Sequence, residues 1–342
     1  MDSAHISALI EALEGRTVAV IGDVVADEYV YGRVARVSRE APVLILEYDS
    51  TDIVPGGAGN AANNVAALGG RASLVGVVGH DDAGRRLVKA FHRGVIASKL
   101  LRVAGRPTPL KTRILAGGIH SAKQQVVRID RGVHAKVDAR VIAAFEEAAL
   151  DVASTADAVL ISDYGSGLVT PALATRLRNA NKRAGHPVPM LVDSRYQLLK
   201  YRGLTACTPN EAEVEEALGI RINDNLRQLE RAGRQILRET RMEAVLITRG
   251  SRGMSLFVPE APTVHIPIFG SDEIADVTGA GDTVMATLAL ALAAGASFEH
   301  AAQLANCAGG LVVMKRGTAT VSAAELRGAL QAGPSRAQQT NG

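Results

Sequence analysis

Ala275-Asp276-Val277-Thr278-Gly279-Ala280-Gly281-Asp282 runs straight into Thr283-Val284-Met285-Ala286-Thr287-Leu288-Ala289-Leu290. The second half is an apolar run of helix-forming residues, and the first half is a tight glycine turn that feeds it. The first backbone N–H groups of such a helix have no partner within it and point together at one spot. The helix dipole adds partial positive charge there, so the turn is a natural anion site. Phosphate oxygens suit it, and the Asp282 carboxylate stands beside it as a base for an attacking hydroxyl. Donors for a moving phosphoryl group and a base for its acceptor together make a phosphoryl-transfer site. Gly-x-Gly-Asp taken alone is more often an ordinary helix N-terminus with an acidic first turn.

Upstream, Thr17-Val18-Ala19-Val20-Ile21-Gly22-Asp23 is a short apolar run closed by Gly-Asp, which suits a buried parallel strand. Similar runs recur at 158–163, 190–193 and 244–248, with helical patterns between them at 139–152 and 211–219. This alternation predicts an α/β fold: a doubly wound, mostly parallel sheet with helices on both faces. Ligands of such sheets sit outside the carboxyl ends of the strands, where Asp23, Asp163, Asp193 and Thr248 fall. Two segments break the alternation. Residues 27–49 contain Tyr29-Val30-Tyr31-Gly32 and Val43-Leu44-Ile45-Leu46-Glu47, and residues 111–130 contain Lys111-Thr112-Arg113-Ile114-Leu115 and Gln125-Val126-Val127-Arg128-Ile129. Their β-branched content predicts short antiparallel strands forming a small β-sheet lid over the ligand end. The apolar face of that lid has nothing else in the chain to cover it. A water-excluding lid suits phosphoryl transfer, because water competes with the acceptor hydroxyl. One domain is expected over 1–332, with a polar, disordered tail at 333–342.

Composition bounds the function. The 342 residues are 47% hydrophobic and 21% charged, which is ordinary for a globular protein. The 34 glycines suit many tight turns and close approaches of backbone to ligand. A net charge of +3, dispersed basic residues, five Phe, six Tyr and no Trp argue against nucleic-acid binding. Two cysteines, Cys207 and Cys307, cannot build a disulfide framework and point to a reducing, cytoplasmic location. The histidines show no metal-ligand spacing, and Asp2, Glu11 and Glu14 interrupt any signal-peptide core. The longest uncharged stretch, 283–298, is shorter than the ~20 residues that span a bilayer, so it reads as a buried helix and no membrane partner is expected.

Asp276 followed by Thr278-Gly279-Ala280-Gly281-Asp282 resembles the signature of the ribokinase-like (PfkB) carbohydrate kinases. The resemblance implies that Asp282 is the catalytic base and that Gly279, Ala280 and Gly281 form the anion hole. Thr208-Pro209-Asn210-Glu211-Ala212-Glu213 is similar to the Asn-x-x-Glu motif of that family. It implies that Asn210 and Glu213 organise ATP phosphates and Mg²⁺, Glu213 acting on the metal through water; a helix N-cap explains the same residues. Gly56-Gly57-Ala58-Gly59-Asn60-Ala61-Ala62 is similar to the family's sugar-binding glycine motif. It implies sugar contacts from Gly56, Gly57 and Asn60, with Asp23 and Asp27 as further hydroxyl ligands. Thr248-Arg249-Gly250-Ser251-Arg252-Gly253 resembles the nucleotide-phosphate turn, which implicates Thr248, Gly250 and Gly253. Asn306 is a candidate for the adenine pocket, and 315–320 for closing the nucleotide site, where some family members hold a monovalent cation. Lys111, Arg113 and Arg128 are candidates for a second, non-reacting phosphate on the sugar, with Arg195 nearby.

The stretch 21–43, together with Lys315-Arg316-Gly317-Thr318-Ala319-Thr320-Val321-Ser322, resembles the subgroup acting on D-glycero-β-D-manno-heptose 7-phosphate in lipopolysaccharide core synthesis. Arg39 stands where that subgroup has Pro, and Ser194-Arg195 where it has Pro-Lys. The expected reaction is ATP-dependent phosphorylation of the anomeric hydroxyl to the 1,7-bisphosphate. The expected assembly is a homodimer paired through the lids. Many members of the subgroup carry a fused nucleotidyltransferase domain, which a chain of this length is expected to lack. Two rivals stay open at this point, another PfkB-type sugar kinase and a non-catalytic sugar-binding protein. A dinucleotide site at Gly57-Ala58-Gly59-Asn60-Ala61-Ala62 is disfavoured, because that pattern does not follow the first buried strand.

Overall fold

Val18 and Val20 turn to one face of the first strand and Ala19 and Ile21 to the other, and all four are fully buried. A strand that is apolar on both faces belongs in the middle of a helix-covered sheet. The computed structural model describes residues 3–117, 123–132, 137–185, 187–270, 276–315 and 317–332. In chain order the strands are β1 (Thr17–Gly22), β2 (Val24–Val37), β3 (Leu44–Gly57), β4 (Arg71–Gly79), β5 (Val95–Val103), β6 (Leu110–Gly117) and β7 (Gln124–Arg131). They continue as β8 (Ala158–Asp163), β9 (Met190–Ser194), β10 (Ala206–Cys207), β11 (Ala244–Thr248), β12 (Met254–Phe257) and β13 (Val264–Ile266). The helices are α1 (Ser3–Glu11), α2 (Ala58–Ala67), α3 (Asp82–Lys89), α4 (Ala139–Ala153), α5 (Pro171–Arg183), α6 (Glu211–Leu218), α7 (Leu226–Thr240), α8 (Ala280–Ala293), α9 (Phe298–Val312) and α10 (Ala323–Ala332).

The main sheet has the order β13-β12-β11-β10-β9-β8-β1-β4-β5. Pairing is parallel from β11 through to β5, and antiparallel only for β12 and β13 at one edge. One core joins α1, α2, α8, α9 and α10 to one sheet face; the other joins α4, α5 and α7 to the opposite face. The expected doubly wound, mostly parallel architecture is therefore present. The chain winds outward from β1 through β4 and β5, then restarts at β8 on the other side of β1. The strand order thus switches between β1 and β8, and the crevice outside their carboxyl ends is where such a sheet binds ligand.

The second sheet has the order β3-β2-β6-β7. It corrects the expected antiparallel lid, because β2 and β6 pair in parallel between the antiparallel pairs β2/β3 and β6/β7. The cause is topological. β2 follows β1 directly and β6 follows the parallel strand β5 after a short turn, so both leave the main sheet at its carboxyl end in one direction. β3 also outruns the expected lid boundary at residue 49, keeping pace with β2 as far as the pair Val24↔Gly57. The uncharged stretch 283–298 is not one helix. α8 stops at Ala293, Gly295 takes a left-handed φ of 86°, and Ser297 caps α9 by accepting from the His300 N–H. Among the described residues no helix is long and apolar enough to cross a membrane. Ala275, Arg316 and the tail 333–342 lie outside the described residues.

Candidate active site

Asp276 builds the glycine turn. Its Oδ1 accepts from the Thr278 N–H at 2.9 Å and its Oδ2 from the Gly317 N–H at 3.0 Å. The turn is thereby pinned to the chain that follows α9. Gly279 is the N-cap of α8 with φ 79°, and a Cβ there would stand 2.5 Å from Asn60 Nδ2. Among the described residues a Cβ on Gly281 would meet nothing within 4 Å. Of the three proposed anion donors, Ala280 already points its N–H at the Val277 carbonyl, 3.2 Å away.

Asp282 lies in the first turn of α8 and is 5% exposed. Asn60 Nδ2 donates to its Oδ2 at 2.9 Å and the Tyr164 hydroxyl donates to its Oδ1 at 3.1 Å. Burial pushes the carboxyl up to about 7; the two hydrogen bonds and Lys111 oppose that rise, and Asp27 adds to it. A buried carboxylate poised near neutrality is suited to general-base work. Asn60, expected to face the sugar, is already tied at both ends of its amide. Its Nδ2 also reaches the Gly279 carbonyl at 3.3 Å, and its Oδ1 accepts from Asn64 Nδ2 at 3.1 Å. Thr283 completes the chain by donating to Asn64 Oδ1 at 3.0 Å, which joins α2 to α8.

The two carboxylates expected on the sugar side differ in employment. Asp23 accepts from the Tyr164 N–H at 2.8 Å and from the backbone and hydroxyl of Ser166, so it holds the loop after β8 across the switch point. Burial raises its pKa despite those bonds. Asp27 pairs with Arg113 and accepts from the Thr318 hydroxyl at 3.2 Å. Gly56 leaves it room, since a Cβ at that position would stand 2.3 Å from Asp27 Oδ2. Lys111 is half-buried, with Nζ 4.9 Å from the centre of the Tyr164 ring, and burial lowers its pKa. Pairing registers Asp27 with Lys111, Tyr29 with Arg113, and Arg113 with Arg128, so these groups share one face of the lid. Arg128, on the exposed strand β7, is paired with Asp130 at 2.9 Å.

Asn210 and Glu213, expected on the nucleotide side, form a reciprocal capping box at α6. Asn210 Oδ1 accepts from the Glu213 N–H and Glu213 Oε2 from the Asn210 N–H, each at 2.9 Å. A backbone bridge brings Thr248 alongside Asn210. The turn after β11 carries Gly250 and Gly253, both with left-handed φ, and its Arg249 and Arg252 both contact Glu211. Asn306 is a buried clamp, donating to the Pro267 carbonyl at 2.8 Å. Lys315 reaches the Thr320 carbonyl at 2.7 Å and Glu325 at 2.6 Å.

Sequence reasoning missed Tyr164, which donates to the Asp282 carboxyl, and gave no role to Asp193, which it had placed at a strand end. The charges of Glu213 and Asp282 both act on Asp193. Asp193 is held well above the ordinary carboxylate range by burial, then by repulsion from Glu213, Asp282 and Asp163. The available signal was position: each lies at or just past the carboxyl end of a buried strand. Glu213 is raised by burial, with Arg195 opposing. Among the described residues no three His, Cys, Asp or Glu side chains converge to hold a metal by themselves. Asp193, whose charge Glu213 disfavours, and Glu213 itself are nonetheless oxygen donors suited to Mg²⁺ shared with phosphate oxygens.

The pfkB family carbohydrate kinase profile matches residues 16–325. The chain is 45% identical over 334 residues to the bifunctional protein HldE of Caulobacter vibrioides, covering 95% of this chain and 65% of that relative. It is 43% identical over 337 residues to the bifunctional protein HldE of Geobacter metallireducens, of which it spans 66%. Its fold matches Escherichia coli phosphofructokinase-2 in complex with substrates and products, with a TM-score of 0.74 at 19% identity, over 94% of this chain and 100% of that one. A doubly wound sheet with a second, smaller sheet beside its switch point, a buried aspartate in a glycine turn and a profile spanning nearly the whole chain agree: this protein belongs to the pfkB family of carbohydrate kinases and has a ribokinase-like fold.

Proposed function

We propose that this carbohydrate kinase transfers the γ-phosphoryl group of ATP to the anomeric hydroxyl of D-glycero-β-D-manno-heptose 7-phosphate, giving the 1,7-bisphosphate. The observation that carries the reading is Asp282, buried in the first turn of α8 behind the glycine turn, with the charge of Lys111 from the lid acting on it. In this reading Asp282 takes the hydroxyl proton as that oxygen attacks, and the backbone at Gly279 and Gly281 binds the transferring phosphoryl group. Lys111, Arg113 and Arg128 receive the distal phosphate, Arg113 exchanging part of its contact with Asp27. Thr248, Gly250 and Gly253 line the nucleotide phosphates. Asp193 and Glu213 would hold Mg²⁺, which when bound neutralises charge on those phosphates. The heptose assignment rests on the resemblance of stretches 21–43 and 315–322 to the heptose-phosphate subgroup.

A homodimer paired through the lids accompanies the proposal. Val37, Val43 and Tyr48 are 59%, 56% and 68% exposed, and Val126, Val127 and Ile129 on β7 are exposed as well. A cytoplasmic location fits the two free, buried cysteines.

The test is ADP release from ATP and Mg²⁺ with a panel of heptose 7-phosphate, fructose phosphates, ribose and nucleosides. The heptose phosphate is expected to give the highest kcat/KM. A preference for another sugar would keep the kinase and discard the heptose assignment; no ADP release with any sugar would favour a non-catalytic binding protein.

A further inference from the structure

Tyr164 follows β8 directly and is fixed on several sides. Its N–H is held by Asp23 Oδ2 at 2.8 Å, and the next N–H, of Gly165, donates to Asp163 Oδ1 at 3.0 Å. One ring edge lies against Gly57, where an added Cβ would stand 3.4 Å from the ring. Lys111 Nζ lies over one ring face, 4.9 Å from its centre. The hydroxyl therefore has a set direction, and it ends 3.1 Å from Asp282 Oδ1. Burial, together with the charges of Asp282 and Asp193, keeps that hydroxyl protonated far above the range of an ordinary tyrosine, so it donates a hydrogen bond to the Asp282 carboxylate.

We propose that Tyr164 is the positioning residue of the base: with Asn60 on Oδ2, its hydroxyl on Oδ1 clamps the Asp282 carboxylate and stabilises its anionic form for the incoming sugar hydroxyl. The inference rests on the reading of Asp282 as the base. Each carboxylate oxygen accepts one clamping bond and keeps a lone pair. In the reaction the sugar O–H bond breaks and its proton goes to Asp282. The freed oxygen forms the bond to the γ-phosphorus as the bond to the β–γ bridging oxygen breaks, and ADP leaves. Tyr164 keeps its own proton throughout.

Among the described residues, Asn60 from α2 and Tyr164 after β8 bond Asp282, and Asp27 from β2, Lys111 from β6 and Asp193 from β9 are the charged or titratable groups that interact with it electrostatically. Removing the Tyr164 hydroxyl subtracts a donor that favours the anion and leaves the burial that disfavours it. Tyr164→Phe should thus need a higher pH to ionise its base. The test is kcat/KM against pH for wild type, Tyr164→Phe and Asp282→Asn, with calorimetric ATP affinity and melting temperature alongside. Substrate titrations are common to all three proteins and cancel in the comparison. Tyr164→Phe should move the acid limb up by roughly one to two pH units, the worth of one charge-assisted hydrogen bond. It should approach wild-type turnover at alkaline pH and keep its ATP affinity. Site-specific 3-fluorotyrosine at 164 keeps the shape with a more acidic hydroxyl, and should move the limb down; it carries the test if Tyr164→Phe does not fold. A limb that stays in place, or a loss equal at every pH, would overturn the inference while an inactive Asp282→Asn left the base intact. An active Asp282→Asn would remove the base assignment itself.

Discussion

Asp282 is kept out of water by α2 and α8, and its pKa of about 7 lies above the 3.8 of an unfolded chain. Between those two values the folded protein holds a proton that the unfolded chain has lost, so stability falls as pH rises through that window. Above about pH 7 the cost is complete, on the order of a few kcal/mol. Asp282→Asn removes it, so the variant should melt higher than wild type near pH 8 and lose that advantage towards pH 4. Calorimetric scans of both proteins across this range check the sign; a wild type more stable at alkaline pH would contradict it. Lys111 is a lid cation whose charge acts on the base, whereas Arg113 already serves Asp27 and Arg128 serves Asp130. Lys111→Ala should weaken sugar-phosphate binding about ten- to a hundredfold and leave ATP affinity unchanged, as expected for one charge-assisted phosphate contact. Equal affinities for the sugar phosphate in titration calorimetry would put that phosphate elsewhere. The sequence made Asp282 and its turn legible because glycines and an acid stand at fixed spacing before an apolar helix. Asn60 turning to Asp282, and Asn306 clamping the Pro267 carbonyl, depend on contacts 222 and 39 residues apart, which no local pattern carries.

Local pattern also decides what could be read of the elements. Residues 158–163 and 244–248 appear as β8 and β11, since a short apolar run between turn signals has few other uses in a buried sheet. The lid was visible as a break in that pattern, but not the parallel contact of β2 with β6, which follows from two chain exits on the same end of the main sheet. α6 carries both explanations of Asn210 at once, because its capping box is present while its Glu213 faces Asp193. Asn210→Asp separates them. The carboxylate still caps the helix, so the melting temperature should hold, whereas Asn210→Ala should lose about 1 kcal/mol. If Asn210 serves the nucleotide, both variants should bind ATP more weakly; full ATP affinity in both would leave it as a cap alone.

At the scale of the whole molecule, the switch of strand order between β1 and β8 gathers the end of β8, the start of the lid and the α8 turn into one crevice. Tyr29 and Thr318 tie that lid to the chain beside the glycine turn, with hydroxyls 2.9 Å apart. The outer lid bears exposed Val37 and Val43 towards one end and exposed Val126, Val127 and Ile129 on the edge strand β7, apolar side chains that a partner would cover. Light scattering at micromolar concentration should return twice the mass of one chain, and Val126→Asp with Val43→Asp should return one. A monomeric wild type would remove the lid-to-lid pairing. The proposed activity centres on the α8 turn as a phosphoryl-transfer site with Asp282 as its base. Steady-state kinetics of Asp282→Asn, with calorimetric binding of ATP and sugar phosphate, test that most directly. The expected result is a turnover number lower by roughly 10²–10⁴ with both affinities near wild type; near-wild-type turnover would mean that another group takes the proton.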